Sequence, residues 1–405
     1  MLPSFSFIDK DLAPDRLANL KLYKYNAIDR SFLSRYLLRH YWDWAHQWFP
    51  SSMAPNLITL TGFLFIIVNV VLASCITPSL EYGAEGIHRW VYLCYAAGIW
   101  LYSTFDNVDG RQARKTKTSS PLGELFDHGC DALNTMFSAI LQASAIGSGH
   151  SHATLLLCIA EALGFYLSTQ EEYHTGVLYL GYVNAPTEGI LLAVFVFTLS
   201  GIYGSSVWMV SVGQIIPFMP SFIANMSFSH GWIALISAFS LMVHCPSSLY
   251  TIRKACLDED KSFLSTLIRE DSPILIYCVA IYAWCTSPYS FILSRQHLIP
   301  FTLAIGIVFG HMASKIILAH VTKSTFPKPS ILLVPLVGGA LAANCPRVSE
   351  LFAFTPQSEM LYIWGFMMIS TSVYLYWVAT VINAFCSYLD IHCFTIREKD
   401  SNKTQ

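Results

Sequence analysis

The stretch Asp106–Asp131, DNVDGRQARKTKTSSPLGELFDHGCD, contains four aspartates in two pairs. Asp106 and Asp109 are three residues apart, and Asp127 and Asp131 are four apart. On an α-helix these spacings put both members of a pair on one face. Two such helices packed together would form an all-oxygen cluster that suits hard divalent cations such as Mg²⁺. Without bound cations, carboxylates this close would repel one another unless some were neutral.

Both aspartate pairs adjoin strongly apolar stretches. Residues 90–105 run directly into Asp106, and residues 132–146 follow directly after Asp131. Ionisable groups at such positions in a bilayer are costly, so they indicate function. The alternative is that these carboxylates only cap helix ends. Capping explains one or two acids but not two pairs with helical spacing, so we favour a functional site.

The composition of the 405 residues indicates a protein that crosses a membrane several times. Hydrophobic residues make up 54% of the chain, charged residues make up 12%, and the mean hydropathy is +0.47. Soluble domains carry about 25% charged residues. The net charge of −2 gives no basic surface that would indicate nucleic-acid binding. We predict an all-α polytopic membrane protein with about ten transmembrane helices, since each crossing needs ~20 residues.

One transmembrane domain is expected between two polar ends. It covers residues 51–390, preceded by a cytosolic N-terminal arm at 1–50 and followed by a cytosolic tail at 391–405. Within the arm, Arg30–Phe49 mixes Arg and His with Leu, Tyr and Trp, which is typical of an amphipathic helix in the membrane interface; a soluble helix packed on the domain is the alternative. The predicted spans are residues 53–76, 88–106, 124–147, 152–170, 187–206, 229–249, 272–292, 297–321, 329–346 and 360–387.

The lysines and arginines predict which side of the membrane holds the acidic motif. If the N-terminus is cytosolic, 20 of the 24 basic residues fall on the cytosolic side. Three of the others, Arg89, Arg295 and Arg347, face the opposite side, and Lys315 lies within a span. Positive residues concentrate in cytosolic loops. The acidic motif is therefore expected to face the cytosol, where a water-soluble donor is available.

The motif also resembles a known family signature. It fits D-x2-D-G-x2-A-R-x8-G-x3-D-x3-D at every signature position, the pattern of the CDP-alcohol phosphotransferases. The flanking stretches SSPLGELFDHGCDAL, from Ser119, and MAPNLITLTG, from Met53, resemble the eukaryotic choline/ethanolamine phosphotransferase branch. The chain length and the number of apolar segments also suit that branch. The resemblance extends over about residues 20–390.

The resemblance implies an activity and its partners. The expected reaction transfers phosphocholine or phosphoethanolamine from CDP-choline or CDP-ethanolamine to diacylglycerol, with CMP as the other product. It further implies Mg²⁺ as the cofactor, with Mn²⁺ able to substitute, contact with membrane lipids, a homodimer, and a location in the endoplasmic reticulum or Golgi. One alternative is the same chemistry on another alcohol, such as inositol. Another is a divalent-cation transporter, although transporters usually place charged groups along a path through several spans.

The motif supplies the expected ligands for metal and nucleotide. The predicted metal ligands are Asp106, Asp109, Asp127 and Asp131, and the predicted CDP-alcohol-binding residues are Asn56, Gly110, Ala113, Arg114 and Gly123. The small residues would leave room for cytidine and ribose; close helix packing is the alternative. The Arg114 guanidinium is expected to pair with a phosphate rather than act only as a cytosolic positive charge. The Asn56 amide would either orient a phosphate or cap the first span.

A general base must accept the proton of the attacking alcohol. Glu124, Asp127, His128 and Asp131 share one helix face, so two candidates arise. Asp131 is the base usually proposed for the wider family, but a bound cation lowers the pKa of a carboxylate ligand and makes it a poor base. His128 has an ordinary pKa near ~6.5, and Glu124 lies four residues before it. We therefore favour His128 as the base, polarised by Glu124.

Other polar or small residues within the predicted spans carry weaker expectations. Glu161, His311 and Lys315 are candidates to line a cavity for the lipid substrate, and snorkelling explains Lys315 almost as well. Gly306 and Gly310 form a G-x3-G pair, which favours close helix packing.

Sidedness gives a first testable prediction. Two N-x-[ST] sequons begin at Asn225 and Asn402, and only Asn225 is on the luminal side in the predicted topology. When the protein is expressed in eukaryotic cells, we expect Asn402 to carry no glycan. The measurement is whether endoglycosidase treatment removes a glycan from this site. A glycan on Asn402 would invert the topology and put the acidic motif in the lumen.

Overall fold

The computed structural model describes residues 12–82, 88–347 and 353–397. Lys10, Lys399, Lys403 and the sequon at Asn402 lie outside these ranges. The α-helices are α1 Pro14–Ala18, α2 Arg39–His46, α3 Pro55–Ile76, α4 Trp90–Thr116, α5 Pro121–Ala145, α6 His152–Thr175, α7 Ile190–Tyr203, α8 Val212–Ile215, α9 Ser221–Ala224, α10 Phe228–Phe239, α11 Cys245–Asp258, α12 Phe263–Cys285, α13 Leu298–Val321, α14 Leu333–Asn344 and α15 Pro356–Leu389. The π-helical turns are Ser34–Leu38, Ala185–Gly189 and Ser240–His244, and the 3₁₀ turns are Asn19–Leu22, Ser205–Met209 and Cys345–Arg347.

Within the described residues, six helical segments are long and apolar enough to cross a membrane. They are Pro55–Ile76, His152–Thr175, Ala185–Tyr203, Phe228–Asp258, Leu298–Val321 and Pro356–Leu389. The predicted all-helical membrane architecture is thereby confirmed in its main feature. The count of ten spans stays a prediction: α14 has 12 residues, which at ~1.5 Å per residue is shorter than a ~30 Å hydrocarbon core. The two helices of the acidic motif, α4 and α5, carry polar residues that lower their hydropathy.

A tight turn joins α4 to α5 and sets the geometry of the motif. α4 ends at Thr116, and the next residue, Lys117, adopts the left-handed conformation with φ of 58°, a common way to end a helix. The Thr118 N–H then donates to the Ala113 carbonyl at 2.9 Å. α5 begins with Pro121, and the Ser120 side chain caps it by accepting from the Gly123 N–H at 3.3 Å. The chain therefore reverses within a few residues, and the two aspartate pairs face each other across neighbouring helices. α4 also continues ten residues beyond residue 106, where the predicted second span ended. This extension holds Asp109, Gly110, Ala113 and Arg114.

The most enclosed helix is α13, which packs on α5, α6 and α15. Close packing with α5 depends on two glycines of α13. A Cβ at Gly306 would lie 3.0 Å from the Met136 Cβ, and one at Gly310 would lie 2.6 Å from the Leu133 side chain. The expectation that this G-x3-G pair serves helix packing is confirmed.

Non-helical contacts tie the N-terminal arm to the motif end of the helices. β1, Ala27–Asp29, pairs in parallel with β2, Leu178–Leu180, which follows α6. The sequence patterns did not predict this pair of strands. Nearby, the Asn19 side chain donates to the Thr322 carbonyl at 2.9 Å, just after α13. An isolated bridge joins Met53 to Thr395. The arm and the segment after α15 therefore lie at the end where α4 meets α5.

The arm contains a helical segment within residues 34–46. The π-helical turn Ser34–Leu38 continues into α2, and its buried face holds Leu38, Trp42 and Ala45. His46 Nε2 and Gln112 Oε1 are 3.0 Å apart, which fixes α2 against α4. The location of this helix in a membrane interface stays a prediction.

Packing between α12 and α14 gives a prediction on stability. A Cβ at Gly339 of α14 would lie 2.0 Å from the ring of buried Trp284, whereas a Cβ at Gly365 of α15 would meet nothing within 4 Å. Gly339→Ala should destabilise the protein by about 1–3 kcal/mol through overpacking. Gly365→Ala, the matched control, should leave it unchanged or slightly more stable because alanine favours helix. Thermal unfolding in detergent measures both, and equal melting temperatures would contradict the packing described.

Candidate active site

Three of the four motif aspartates form a compact oxygen cluster. Carboxylate oxygens of Asp106, from α4, and of Asp127 and Asp131, from α5, all lie within 4.8 Å of one another. The fourth, Asp109, is buried one turn further along α4 and interacts with Asp127. The structure thus brings together the four aspartates that the sequence singled out, with Asp127 between the two members of the α4 pair.

Buried oxygens in this cluster are left without partners. Asp106 Oδ1 and Asp127 Oδ1 are enclosed by protein and accept no hydrogen bond from any described residue. A buried carboxylate oxygen without a donor is costly unless a cation or proton compensates it. The ligands are all oxygen atoms, and neither thiolate nor imidazole joins them, so the donor set fits a hard divalent cation better than zinc. The residues present are therefore suited to hold such a cation.

Hydroxyl donors from neighbouring helices hold the other two carboxylates. Thr59 of α3 donates to Asp109 Oδ2, and Tyr102 of α4 donates to Asp131 Oδ1. Both donors are buried. Each hydrogen bond fixes one carboxylate oxygen of its aspartate.

The residues expected to bind the CDP-alcohol lie around the turn between α4 and α5. Asn56 of α3 faces Gly123 of α5, because a Cβ at Gly123 would lie 3.8 Å from Asn56 Oδ1. On α4, a Cβ at Gly110 would lie 3.4 Å from a terminal nitrogen of Arg114. The Asn56 amide also reaches Cys393 Sγ at 3.5 Å. The described contact of Ala113 is made by its backbone carbonyl, so a role for its side chain stays a prediction.

His128 has a carboxylate neighbour that the sequence did not indicate. His128 Nδ1 lies 3.6 Å from Glu172 Oε2; the Glu172 side chain is buried and the His128 side chain is largely enclosed. Glu172 belongs to α6, which packs on α5. We had expected Glu124, four residues before His128 on the same helix, to orient the imidazole. Tertiary packing also brings Glu172 from another helix next to His128, and the role of Glu124 stays a prediction.

Glu124 makes different contacts. The Tyr23 hydroxyl of the N-terminal arm donates to Glu124 Oε2, and His320 Nε2 of α13 lies 3.5 Å from Glu124 Oε1. Burial and the Glu124 carboxylate raise the pKa of Tyr23 well above its ordinary value, so this phenol stays a hydrogen-bond donor. Ligand atoms of Glu124, Glu172 and His320 lie within 4.8 Å of one another. A second polar cluster therefore adjoins the aspartates.

Sequence patterns missed the residues that complete these clusters. Glu172, His320, Tyr23 and Thr59 are far from the motif in sequence, and no spacing rule links them to it. The signal available for Glu172 was its place at the polar end of an apolar helix. The separate polar groups have local partners: Glu161 Oε1 accepts from Gln142 at 2.8 Å, and His311 Nδ1 lies 2.8 Å from Ser330 Oγ. These contacts do not connect Glu161 or His311 to the aspartates.

Comparison with known proteins agrees with this geometry. Residues 52–219 match the family model described as CDP-alcohol phosphatidyltransferase. An uncharacterized CDP-alcohol phosphatidyltransferase class-I family protein of Schizosaccharomyces pombe is 33% identical over 396 residues, which cover 96% of this chain and 98% of that protein.

Two relatives carry names that state an activity. Choline/ethanolaminephosphotransferase 1 of Saccharomyces cerevisiae is 34% identical, covering 95% of this chain and 97% of the relative. Choline/ethanolaminephosphotransferase 1 of Arabidopsis thaliana is 31% identical, covering 95% and 98%. The resemblance found in the motif is confirmed at the level of the family and extends over nearly the whole chain. The protein is therefore a member of the CDP-alcohol phosphatidyltransferase family.

Proposed function

We propose that this protein transfers phosphocholine or phosphoethanolamine from its CDP derivative to diacylglycerol, giving phosphatidylcholine or phosphatidylethanolamine and CMP. The observation that carries the proposal is the half-buried cluster of Asp106, Asp127 and Asp131, with two enclosed oxygens lacking partners, in a chain with the complete family motif. Relatives named choline/ethanolaminephosphotransferase over nearly its whole length support the choice of alcohol.

In this reaction the acceptor hydroxyl oxygen of diacylglycerol forms a bond to the distal phosphorus of the donor. The bond between that phosphorus and the bridging oxygen breaks, CMP leaves with the bridging oxygen, and the hydroxyl proton passes to a base. Little covalent chemistry is asked of the protein, which must align the two substrates and neutralise charge.

The four aspartates are proposed to hold Mg²⁺, with Mn²⁺ able to substitute. The bound cation would neutralise the diphosphate charge and stabilise the leaving CMP. The chain supplies the rest: Thr59 and Tyr102 fix two carboxylates, and Arg114 is exposed beside Gly110, where its guanidinium can pair with a phosphate. Asn56 and Gly123 face each other at the start of α5 and are proposed to contact the nucleotide, together with Ala113.

For the base we propose His128, with Asp131 as the alternative. His128 does not belong to the aspartate cluster and has a carboxylate neighbour in Glu172 at 3.6 Å, which can orient its ring and favour its protonated form after transfer. Asp131 is less suited because it accepts from Tyr102 and would also be a metal ligand. Glu124 acts in this proposal as a positioning residue, joined to Tyr23 and His320.

The setting of the enzyme is part of the proposal. The placement of Lys and Arg supports a cytosolic active site and cytosolic ends, and an endomembrane such as the endoplasmic reticulum or Golgi suits a lipid-synthesising enzyme. We further propose that the transmembrane domain covers residues 51–390 and has ten spans. The arm helix is proposed to lie in the membrane interface, and the protein to form a homodimer. A phosphotransferase acting on another alcohol remains the second candidate, because the motif itself does not select the alcohol.

Metal dependence tests the function directly. Purified protein given CDP-choline or CDP-ethanolamine with diacylglycerol should release CMP and form phospholipid, and chelation should stop turnover until Mg²⁺ returns. Asp127→Asn should lower kcat by about 100-fold or more, because it removes a charged ligand worth several kcal/mol of charge stabilisation. The measurement is release of radiolabelled product.

The matched control is Asp258→Asn, which removes an exposed carboxylate at the C-terminal end of α11 and should leave kcat unchanged. Both variants should insert and purify like wild type. Asp127→Asn with more than about a tenth of wild-type activity would contradict the metal role, since several kcal/mol correspond to well over tenfold. If the protein turned over only with another CDP-alcohol, the proposed choice of choline or ethanolamine would be wrong.

The identity of the base gives a further prediction. His128→Ala should lower kcat by about 10²- to 10⁴-fold, the range typical of general-base catalysis, with little change in CMP affinity. If Glu172 orients the imidazole, Glu172→Gln should cause a smaller loss of kcat and shift the pH profile. Glu124→Gln should affect kcat less than Glu172→Gln, because Glu124 contacts Tyr23 and His320.

Asp131→Asn separates the two candidates. If His128 is the base, this change should also weaken metal binding, and excess Mg²⁺ should restore part of the activity. The assignment is wrong if Asp131→Asn leaves metal and donor binding intact while turnover is lost and His128→Ala remains nearly normal.

A further inference from the structure

A cavity of about 320 Å³ lies between the N-terminal arm and α4, separate from the aspartate cluster. Its lining residues are Asp29, Ser34, Arg35, Arg39, Trp42 and Arg111. Arg35 and Arg39 are four residues apart and thus project from one side of the arm helix. Arg111 comes from α4 and lies over the Trp42 ring at 5.3 Å. Three guanidinium groups from two helices therefore line one cavity.

Charge in this cavity is only partly compensated. Arg111 Nε pairs with Asp43 Oδ1 at 2.8 Å, and the hydrogen bond from Arg111 lowers the pKa of Asp43. The Asp29 carboxylate is occupied by the Ser31 N–H and the Ser34 hydroxyl. Arg35 and Arg39 form no ion pair with any residue of the described ranges. The lining thus holds three positive charges and one carboxylate, Asp29. Asp43, outside the lining, pairs with Arg111. Both carboxylates are already engaged, so the cavity can accept an anion.

The arm next to this cavity exposes large apolar side chains. Those more than half exposed are Phe32, Tyr36, Leu37, Trp44 and Trp48. The opposite face of the arm is fixed to the helices, with Trp42 and Ala45 buried and Tyr41 Oη 3.1 Å from Thr104 Oγ1. A basic cavity bordered by exposed aromatic and aliphatic residues is the pattern of a surface that enters the headgroup region of a membrane.

We propose that the cavity of Arg35, Arg39 and Arg111 binds the headgroup of an anionic phospholipid in the leaflet that faces the motif end of the helices. The guanidinium groups would take the phosphate, with which arginine pairs bidentately, while Phe32, Tyr36 and Trp44 lie among the acyl chains. Bound lipid would hold the arm, whose Tyr23 donates to Glu124 beside the active site. Anionic lipid thereby acts on the arm from outside the catalytic cluster.

Direct binding tests the proposal without relying on turnover. Full-length protein in neutral detergent is titrated by calorimetry with dihexanoyl phosphatidylserine, dihexanoyl phosphatidylcholine, inorganic phosphate and CMP. Wild type is compared with the Arg35→Gln/Arg39→Gln double variant. The matched control, Arg253→Gln/Lys254→Gln, removes two exposed basic residues of α11. A charge-conserving variant, Arg35→Lys/Arg39→Lys, keeps the test valid if the glutamine pair lowers the melting temperature.

Phosphatidylserine affinity should fall about 30-fold in the glutamine pair, the combined effect of two basic side chains near a membrane surface. The control should bind like wild type, the lysine pair should keep most of the affinity, and added salt should weaken binding. Equal affinity of wild type and the glutamine pair overturns the proposal. So does equally tight binding of phosphatidylcholine. Inorganic phosphate that binds as tightly identifies a free-anion site instead, and CMP affinity lost with the same arginines identifies a nucleotide site.

Discussion

Mutual repulsion among closely spaced, partly enclosed carboxylates is the constraint on which the rest of the structure depends. Oxygens of Asp106, Asp127 and Asp131 lie within 4.8 Å of one another, and burial strengthens their repulsion because the surrounding dielectric is low. Such a cluster persists only if the helices that carry it are held from outside. The turn at residues 117–120 joins α4 to α5, α3 packs on both, and α13 packs on α5 through its glycines. This packing holds the carboxylates close together, and a bound cation or proton compensates their repulsion.

The N-terminal arm belongs to the same construction. β1 pairs with β2 after α6, Asn19 is hydrogen-bonded just after α13, and Tyr23 donates to Glu124. The arm thus covers the end of the helices where the two polar clusters lie. Its exposed aromatic residues border the arginine-lined cavity. The N-terminal arm, which is polar in sequence, therefore connects the proposed lipid-binding cavity to the proposed catalytic groups.

The location of the site follows from the two substrates proposed for it. A nucleotide donor is water-soluble, whereas diacylglycerol stays in the bilayer, so the reacting groups must meet where helices end. The motif helices α4 and α5 accordingly combine apolar stretches with charged ends and fall short of the composition of a simple span. Helices with few charges, such as α3 and α13, provide the apolar frame.

The sequence by itself determined the helical membrane class, the family motif and the four aspartates, because helical spacing and hydropathy are local properties that a single chain segment displays. The same locality explains what it could not determine. Several contacts of the site join separate helices or the arm, so they depend on how these elements pack. They are Glu172 with His128, Tyr23 and His320 with Glu124, and Thr59 with Asp109. The parallel strand pair and the cavity between α4 and the arm likewise arise only when distant segments meet. Tertiary structure alone decided these contacts, because no periodicity within one segment records which side chains of another will face it.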